Sequence, residues 1–244
     1  MRFFFLAEPP TETTGRWNPP ASLRQHLRAL RFGAEESFLL LPPKGPAVEA
    51  RLLEKGDLEL LGTAMRPRLA LLPTTLATAW PKGARADELV RRATESGVQT
   101  ILPLRTSRSV AGKDAFSPSK RARWQRIMEE VASQCRRPEL PTLLEEPLAL
   151  DELPATMAAR APGAQGYVLT PGTLPLQLSL ELNAPRELWL AVGPEGGFSA
   201  EEEELLQIGG FLAAGLAPTV LRIEAAGPLA IALCQHHHLC RQSH

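Results

Sequence analysis

The spacing of apolar positions changes part-way along the chain. Over residues 1–68 they come in short runs, and Arg2–Leu6, Ser37–Leu41, Val48–Glu54 and Leu58–Met65 predict strands. Pro42-Pro43-Lys44-Gly45 and Lys55-Gly56-Asp57 are turn-formers between them. Ser22–Leu30 predicts a short helix with Ser22 as its N-cap, and Thr11–Pro20 predicts a loop. The proline and charges of Met65–Arg68 mark a domain boundary.

Beyond it, strand and helix patterns alternate. Leu69–Leu72, Val98–Leu104, Tyr167–Thr170 and Leu188–Val192 predict strands; the last two are apolar throughout, as in the middle of a parallel sheet. Ala84–Ser96 predicts a helix stopped by Gly97. Pro118–Cys135 predicts the clearest helix, with Trp124, Ile127, Met128, Val131, Ala132 and Cys135 on one face. Ser199 caps a further helix with Glu202 completing a capping box, and Glu201–Glu204 suit its positive end. A last helix runs from about Glu224 to Cys240, with Pro228 expected in its first turn. This alternation predicts an α/β domain around a parallel sheet. No internal repeat is visible.

Composition adds little beyond class. An apolar fraction of 44% and a charged fraction of 22% are those of an ordinary globular chain. No apolar run reaches the roughly 18 residues of a membrane span, and Met1–Leu6 is too short for a signal peptide. Three cysteines fit reduced thiols, so a cytoplasmic location is expected.

Three segments carry candidate chemistry. In Ala191–Ser199 (AVGPEGGFS) a buried strand breaks into a glycine-rich loop before a capped helix. Bare backbone there either admits a ligand or makes a tight connection, and without a P-loop's Lys-Ser/Thr it does not favour nucleotide phosphates. Between Arg105 and Arg137 stand Arg105, Arg108, Lys113, Lys120, Arg121, Arg123, Arg126, Arg136 and Arg137 against Asp114, Glu129 and Glu130. This local excess fits either phosphate contact or a solvated helix face. In the tail, Cys234/His238 and His236/Cys240 have chelating spacing but no remote second pair, so no metal is expected.

Four blocks carry a resemblance: His26–Arg31 (HLRALR); Glu88–Pro103 followed by Arg108-Ser109-Val110; Arg123-Trp124 through Gln134–Pro138; and Val192–Ser199 (VGPEGGFS) with Leu221–Ala226 (LRIEAA). In this order they resemble the bacterial 16S ribosomal RNA (uracil-N3) methyltransferase family of the SPOUT superfamily. The last pair, similar to that family's VGPEGGFS and LRTETA, is the most specific. The resemblance implies a PUA-like, RNA-binding β-barrel over 1–68. A SPOUT methyltransferase domain with a deep C-terminal trefoil knot would then occupy 69–244. It also implies a homodimer, S-adenosylmethionine as cofactor, and 16S rRNA of the small ribosomal subunit as partner, with no DNA or membrane role.

By the matching positions, Leu169, Leu190, Val192, Gly193, Pro194, Glu195, Gly196, Gly197, Leu216, Leu221, Arg222 and Ile223 hold the cofactor. Arg28, Arg31, Arg108, Arg136 and Arg137 contact RNA, while Arg222 and Glu224 face the uracil, Arg222 to stabilise the anionic base and Glu224 as general base or structural carboxylate. The chain departs from the family where RTETA reads Arg222-Ile223-Glu224-Ala225-Ala226, losing two threonine hydroxyls, and where LGPRILR reads Leu216–Arg222 (LAPTVLR). These changes admit two alternatives, an RNA-binding paralogue with weakened catalysis or a methyltransferase acting on another base.

Overall fold

The computed structural model describes residues 2–8, 10–33, 36–43, 45–53, 56–109, 116–183 and 185–242. The expectations at Met1, Lys44, Glu54, Lys55, Val110, Lys113, Asp114 and His244 lie outside the described residues. The chain packs as two units, Met1–Leu69 with Ala132–Glu139, and Ala70–Val131 with Leu140–His244.

The first unit is a small β domain built from β1 (Arg2–Phe5), β2 (Thr14–Trp17), α1 (Ala21–Ala29), β3 (Ser37–Leu41), β4 (Ala47–Leu52) and β5 (Leu58–Ala64). Its strands run in the order β1-β3-β4-β5-β2. Only the β1–β3 pair is parallel. Phe4, Phe32 and Phe38 meet edge-to-face with centroids 5.1–5.7 Å apart, and Leu23 and Leu27 of α1 close over them. Two expectations fail here. Thr11–Pro20 contains β2, a polar edge strand formed by pairing with Leu58–Leu61 rather than by any alternation of its own. Ser22 is not the N-cap: α1 starts at Ala21 behind an extended Pro20, with no side-chain cap bond.

Two helices end on an arginine in the left-handed region. Arg31 (φ 51°) follows α1, and Arg136 (φ 57°) follows the helix over Pro118–Gln134. Each turn closes as a helix C-terminus does, the Phe32 amide donating to the Leu27 carbonyl at 3.4 Å and the Arg137 amide to the Ala132 carbonyl at 2.8 Å. Glycine is the usual occupant of that position, and a residue with a Cβ pays about 1 kcal/mol to hold it. Both arginines are exposed.

The second unit alternates as expected: β6 (Thr74–Ala79), α2 (Ala84–Glu95), β7 (Thr100–Arg105), α3 (Pro118–Gln134), β8 (Thr142–Leu143), β9 (Leu148–Ala149), α4 (Leu153–Arg160), β10 (Gln165–Leu169), α5 (Leu176–Asn183), β11 (Leu188–Val192), α6 (Ala200–Ile208), β12 (Phe211–Ala214) and α7 (Ile223–Gln242). The sheet runs β12-β10-β11-β6-β7-β8, with β9 also on β7, and its pairings are parallel. Successive strand residues serve opposite faces. Leu76, Tyr167 and Leu190 join one apolar layer with residues of α2 and α7, and Ala77, Val168 and Trp189 join the other with residues of α4 and α6.

The expected strand at Leu69–Leu72 is absent; the central strand is β6 instead. Pro73 has no amide to donate, and pairing starts only where its carbonyl accepts from the Leu188 amide at 2.9 Å. The sequence TTLATA hides a buried strand because its threonines satisfy themselves locally. Thr74 Oγ1 donates to the Leu72 carbonyl and Thr78 Oγ1 to the Ala79 carbonyl. Pro228 is also misplaced by expectation: α7 starts at Ile223, which puts the proline in the second turn, where it cannot donate to the Glu224 carbonyl. No described helix is long and apolar enough to cross a membrane.

Gln235 fixes α7 against the start of β6. Its Oε1 accepts from the Leu72 amide at 2.9 Å, and its Nε2 donates to the Leu72 carbonyl at 2.8 Å and the Gly97 carbonyl at 3.4 Å. These partners are buried, so cutting the bonds leaves them unsatisfied. Replacing Gln235 with Leu is expected to cost about 3 kcal/mol, read as a lower urea midpoint with an unchanged denaturant slope.

Candidate active site

Strands β10, β11 and β12 end at Leu169, Val192 and Ala214, and the loops that follow them enclose a pocket of about 130 Å³ with the start of α7. Ligands of open parallel sheets bind at this edge. Of the twelve residues expected to hold a cofactor, nine line the pocket: Leu169, Val192, Gly193, Pro194, Glu195, Gly197, Leu216, Leu221 and Ile223. Three do not. Leu190 is fully buried inside β11 and points into the core. Gly196 turns its carbonyl to Arg108, whose Nη1 donates to it at 2.7 Å. Arg222 is exposed, its carbonyl accepting the first amides of α7.

The glycine loop is held from within. The Gly197 amide donates to the Pro194 carbonyl at 2.8 Å, and Gly197 itself takes φ 70°, which favours glycine. A Cβ on Gly193 would lie 2.9 Å from the Phe198 amide nitrogen, so that position admits only glycine without a backbone shift. Gly196 differs, since a Cβ there meets only the Arg108 Cδ at 3.6 Å. The tight position is therefore Gly193.

Glu202 ties this loop to its neighbour. One carboxylate oxygen accepts from the Ser199 amide at 2.8 Å, as the capping box predicts, and the other accepts from the Ser107 amide at 2.6 Å. Burial works against the charged form of Glu202, but those amides outweigh it and hold its pKa below the usual carboxylate value. Arg85 pairs with Glu195 at 2.7 Å from the start of α2.

Among the described residues the pocket wall carries two carboxylates, Glu195, paired with Arg85 from outside the wall, and Glu203, and no lysine or arginine. Such a wall repels phosphates and suits a neutral or cationic guest. Beside it, Glu224 in the first turn of α7 is only 7% exposed, and its Oε2 has no hydrogen-bond partner. A carboxylate oxygen left bare in the interior is expensive, and such groups cluster at functional sites. Sequence reasoning missed Thr170, Phe198, Glu203 and Ala226 as wall residues. Thr170 was the last residue of a predicted strand, a usable signal, and lies just past the observed one; Glu203 was masked by its role in an acidic first turn.

The basic residues divide. Arg28, Arg31, Arg105, Arg108, Lys120, Arg126 and Arg136 are exposed, while Arg123 pairs with Asp87 and Arg121 with Glu145, each at 2.6 Å. Arg137 is 4% exposed, and burial lowers its pKa, so it offers solvent far less of its guanidinium than the other four expected RNA contacts. Of the paired spacings in the tail, His236 Nε2 and Cys240 Sγ meet at 3.6 Å, while Cys234 is buried, with its thiol pushed up to about 12 by that burial, and His238 bonds Gln242. Among the described residues no group of three or more His, Cys, Asp or Glu could hold a metal ion.

Residues 68–235 match the family model of an RNA methyltransferase domain. The ribosomal RNA small subunit methyltransferase E of Synechocystis is 34% identical over 215 residues, 87% of this chain and 70% of that protein. Its namesake in Mycobacterium tuberculosis is 31% identical over 163 residues, 65% of this chain and 61% of that one. Among solved structures, the Neisseria gonorrhoeae enzyme of that name, bound to S-adenosylmethionine, superposes with a TM-score of 0.78 at 28% identity, covering 97% of both chains. A Legionella pneumophila methyltransferase with the same cofactor gives 0.75 at 26%, covering 96% of both. The family model spans more than half of the chain and a curated relative aligns along most of it, so the chain belongs to the ribosomal RNA small subunit methyltransferase E family.

Proposed function

We propose that this protein transfers the methyl group of S-adenosylmethionine to N3 of a uridine in 16S rRNA of the small ribosomal subunit, in the cytoplasm. The observation that carries the reading is the pocket wall: bare backbone at Gly193 and Gly197, two carboxylates and, among the described residues, no basic side chain fit a cationic cofactor and disfavour a phosphorylated one. S-adenosylmethionine supplies a methyl group on a sulfonium, which the acceptor nitrogen takes as the sulfur–carbon bond breaks. The chain's own residues align the acceptor and move its proton. Glu224, with its unpartnered oxygen, accepts the N3 proton, and the exposed Arg222 offsets the charge that develops on the base. Ile223 and Ala225, in place of threonines, leave proton transfer to Glu224 without hydroxyl help.

The rest of the assignment follows the same line. Residues 1–68 serve as the RNA-binding domain and 69–244 as the methyltransferase domain, with the chain knotted where 190–197 and 216–223 wrap the cofactor. Arg28, Arg31, Arg108 and Arg136 contact RNA phosphates; Arg137 is left out because it is buried. Two copies associate through α7, where Leu229, Ala232, His236 and Leu239 form an exposed, largely apolar stripe at helical spacing.

Labelled methyl transfer to small-subunit RNA, with 3-methyluridine identified by mass spectrometry, tests the activity; cofactor binding without turnover would replace it with the RNA-binding paralogue. Glu224→Gln should lower turnover by about 10²- to 10⁴-fold while calorimetry shows S-adenosylmethionine binding within a few-fold of the parent. Gly193→Ala should weaken cofactor binding at least tenfold, whereas Gly196→Ala should leave it nearly intact. The left-handed arginine gives an opposite-sign pair of effects: Arg31→Gly should raise stability by about 1 kcal/mol, seen in urea unfolding. The same change should reduce the salt slope of RNA binding by about one unit.

A further inference from the structure

The pocket at the C-terminal strand edge has a counterpart at the other end of the sheet. A cavity of about 300 Å³ lies between Leu72 before β6, Pro185 and Arg186 before β11, and the last turns of α7. The length of β11 puts it roughly 15 Å from the cofactor pocket. Nothing in the methyl-transfer chemistry uses it.

Beside the apolar Leu72 and Pro185, its lining carries the hydrogen-bonding side chains Arg186, His237, His238, Arg241 and Gln242. Arg186 and Arg241 both reach it; both are exposed, and neither has a carboxylate partner among the described residues. His237 is 9% exposed and its Nε2 has no partner. The other ring nitrogen decides which hydrogen His237 carries. Gln177 Nε2 donates to Glu181 Oε1 at 2.9 Å, which orients the amide, and the same nitrogen faces His237 Nδ1 at 3.4 Å. Nδ1 is thus an acceptor and the proton sits on Nε2. Burial first, and then the Arg241 charge, push the His237 pKa below its ordinary value, while Glu181 pulls it the other way. The lowered value favours the neutral imidazole, and no α5 residue lines the cavity among the described residues.

Two guanidinium groups line a space beside the buried His237 ring, with no carboxylate in its wall among the described residues. The C-terminal end of α7 opposes an anion with about half a negative charge, and the two full positive charges outweigh it. A carboxylate guest has two oxygens for this set of donors; a phosphate has more, and its geometry suits the arginine fork.

We propose that the cavity bounded by Arg186, Arg241 and His237 is a second anion site that takes a phosphate group, either a phosphodiester of the RNA or a free phosphate. The free-phosphate form is independent of the methyl-transfer reading; the phosphodiester form rests on it. Inorganic phosphate is titrated into full-length protein at constant ionic strength, with the His237 ring nitrogens followed by NMR. A saturable shift of Nε2 is expected in the millimolar range. Arg186→Gln and Arg241→Gln should each weaken it about tenfold, and the double variant should abolish it. Both arginines are exposed, so the fold should survive, as a thermal melt will show. A missing shift, or one unchanged in the double variant, overturns the proposal. RNA binding by the double variant then separates the sources. Weaker binding with a salt slope smaller by about one to two units, and competition by phosphate, identifies the phosphodiester; unchanged RNA binding with lost phosphate binding identifies the free anion.

Discussion

The position of α7 against β6 sets the geometry on which the active site depends. Gln235 holds the helix at Leu72, and Gly227 lets it approach so closely that a Cβ there would lie 2.8 Å from Leu76. Eight helical residues between Gln235 and Gly227 rise about 12 Å, and the four-residue extended step from Leu72 into β6 at Leu76 rises about 13 Å. The two spacings agree, so the helix lies antiparallel along the strand in a fixed register. One turn further, Ile223 and Ala226 reach the pocket and Glu224 is buried beside it. A slip of one residue would rotate Glu224 out of this position.

The other wall of the pocket is kept by short-range ties. Glu202 joins Ser199 to Ser107, Arg108 grips the Gly196 carbonyl, and Arg85 holds Glu195. The loop that lines the pocket is therefore not separate from the start of the basic segment. Arg108 serves the loop's backbone and offers the rest of its charge to solvent, so its removal affects both.

Local signals in the sequence were enough for much of this. The face of α3 was legible from Trp124, Ile127, Met128 and Val131 because helical spacing and burial coincide there. Leu188–Val192 and the Ser199–Glu202 box were legible for similar reasons. β6 was not, because Thr74 and Thr78 read as polar until their hydroxyls are seen to bond their own backbone. β2 was not, because its only support is a partner strand more than forty residues away. At the site, the glycine loop announced itself, but Thr170, Glu203 and Ala226 reach the pocket only through the crossing of β10, α6 and α7.

Arg31 and Arg136 carry a consequence for how this sequence drifts. Most arginine codons become glycine codons by a single nucleotide change, and glycine at either helix end would relieve the left-handed strain. Selection for stability alone would therefore find that exchange quickly, at two separate places. A lineage that retains arginine at both must lose something else by the exchange. The exchange would remove one exposed positive charge from each helix end, so a variant made by taking both shortcuts would gain stability and lose surface charge together.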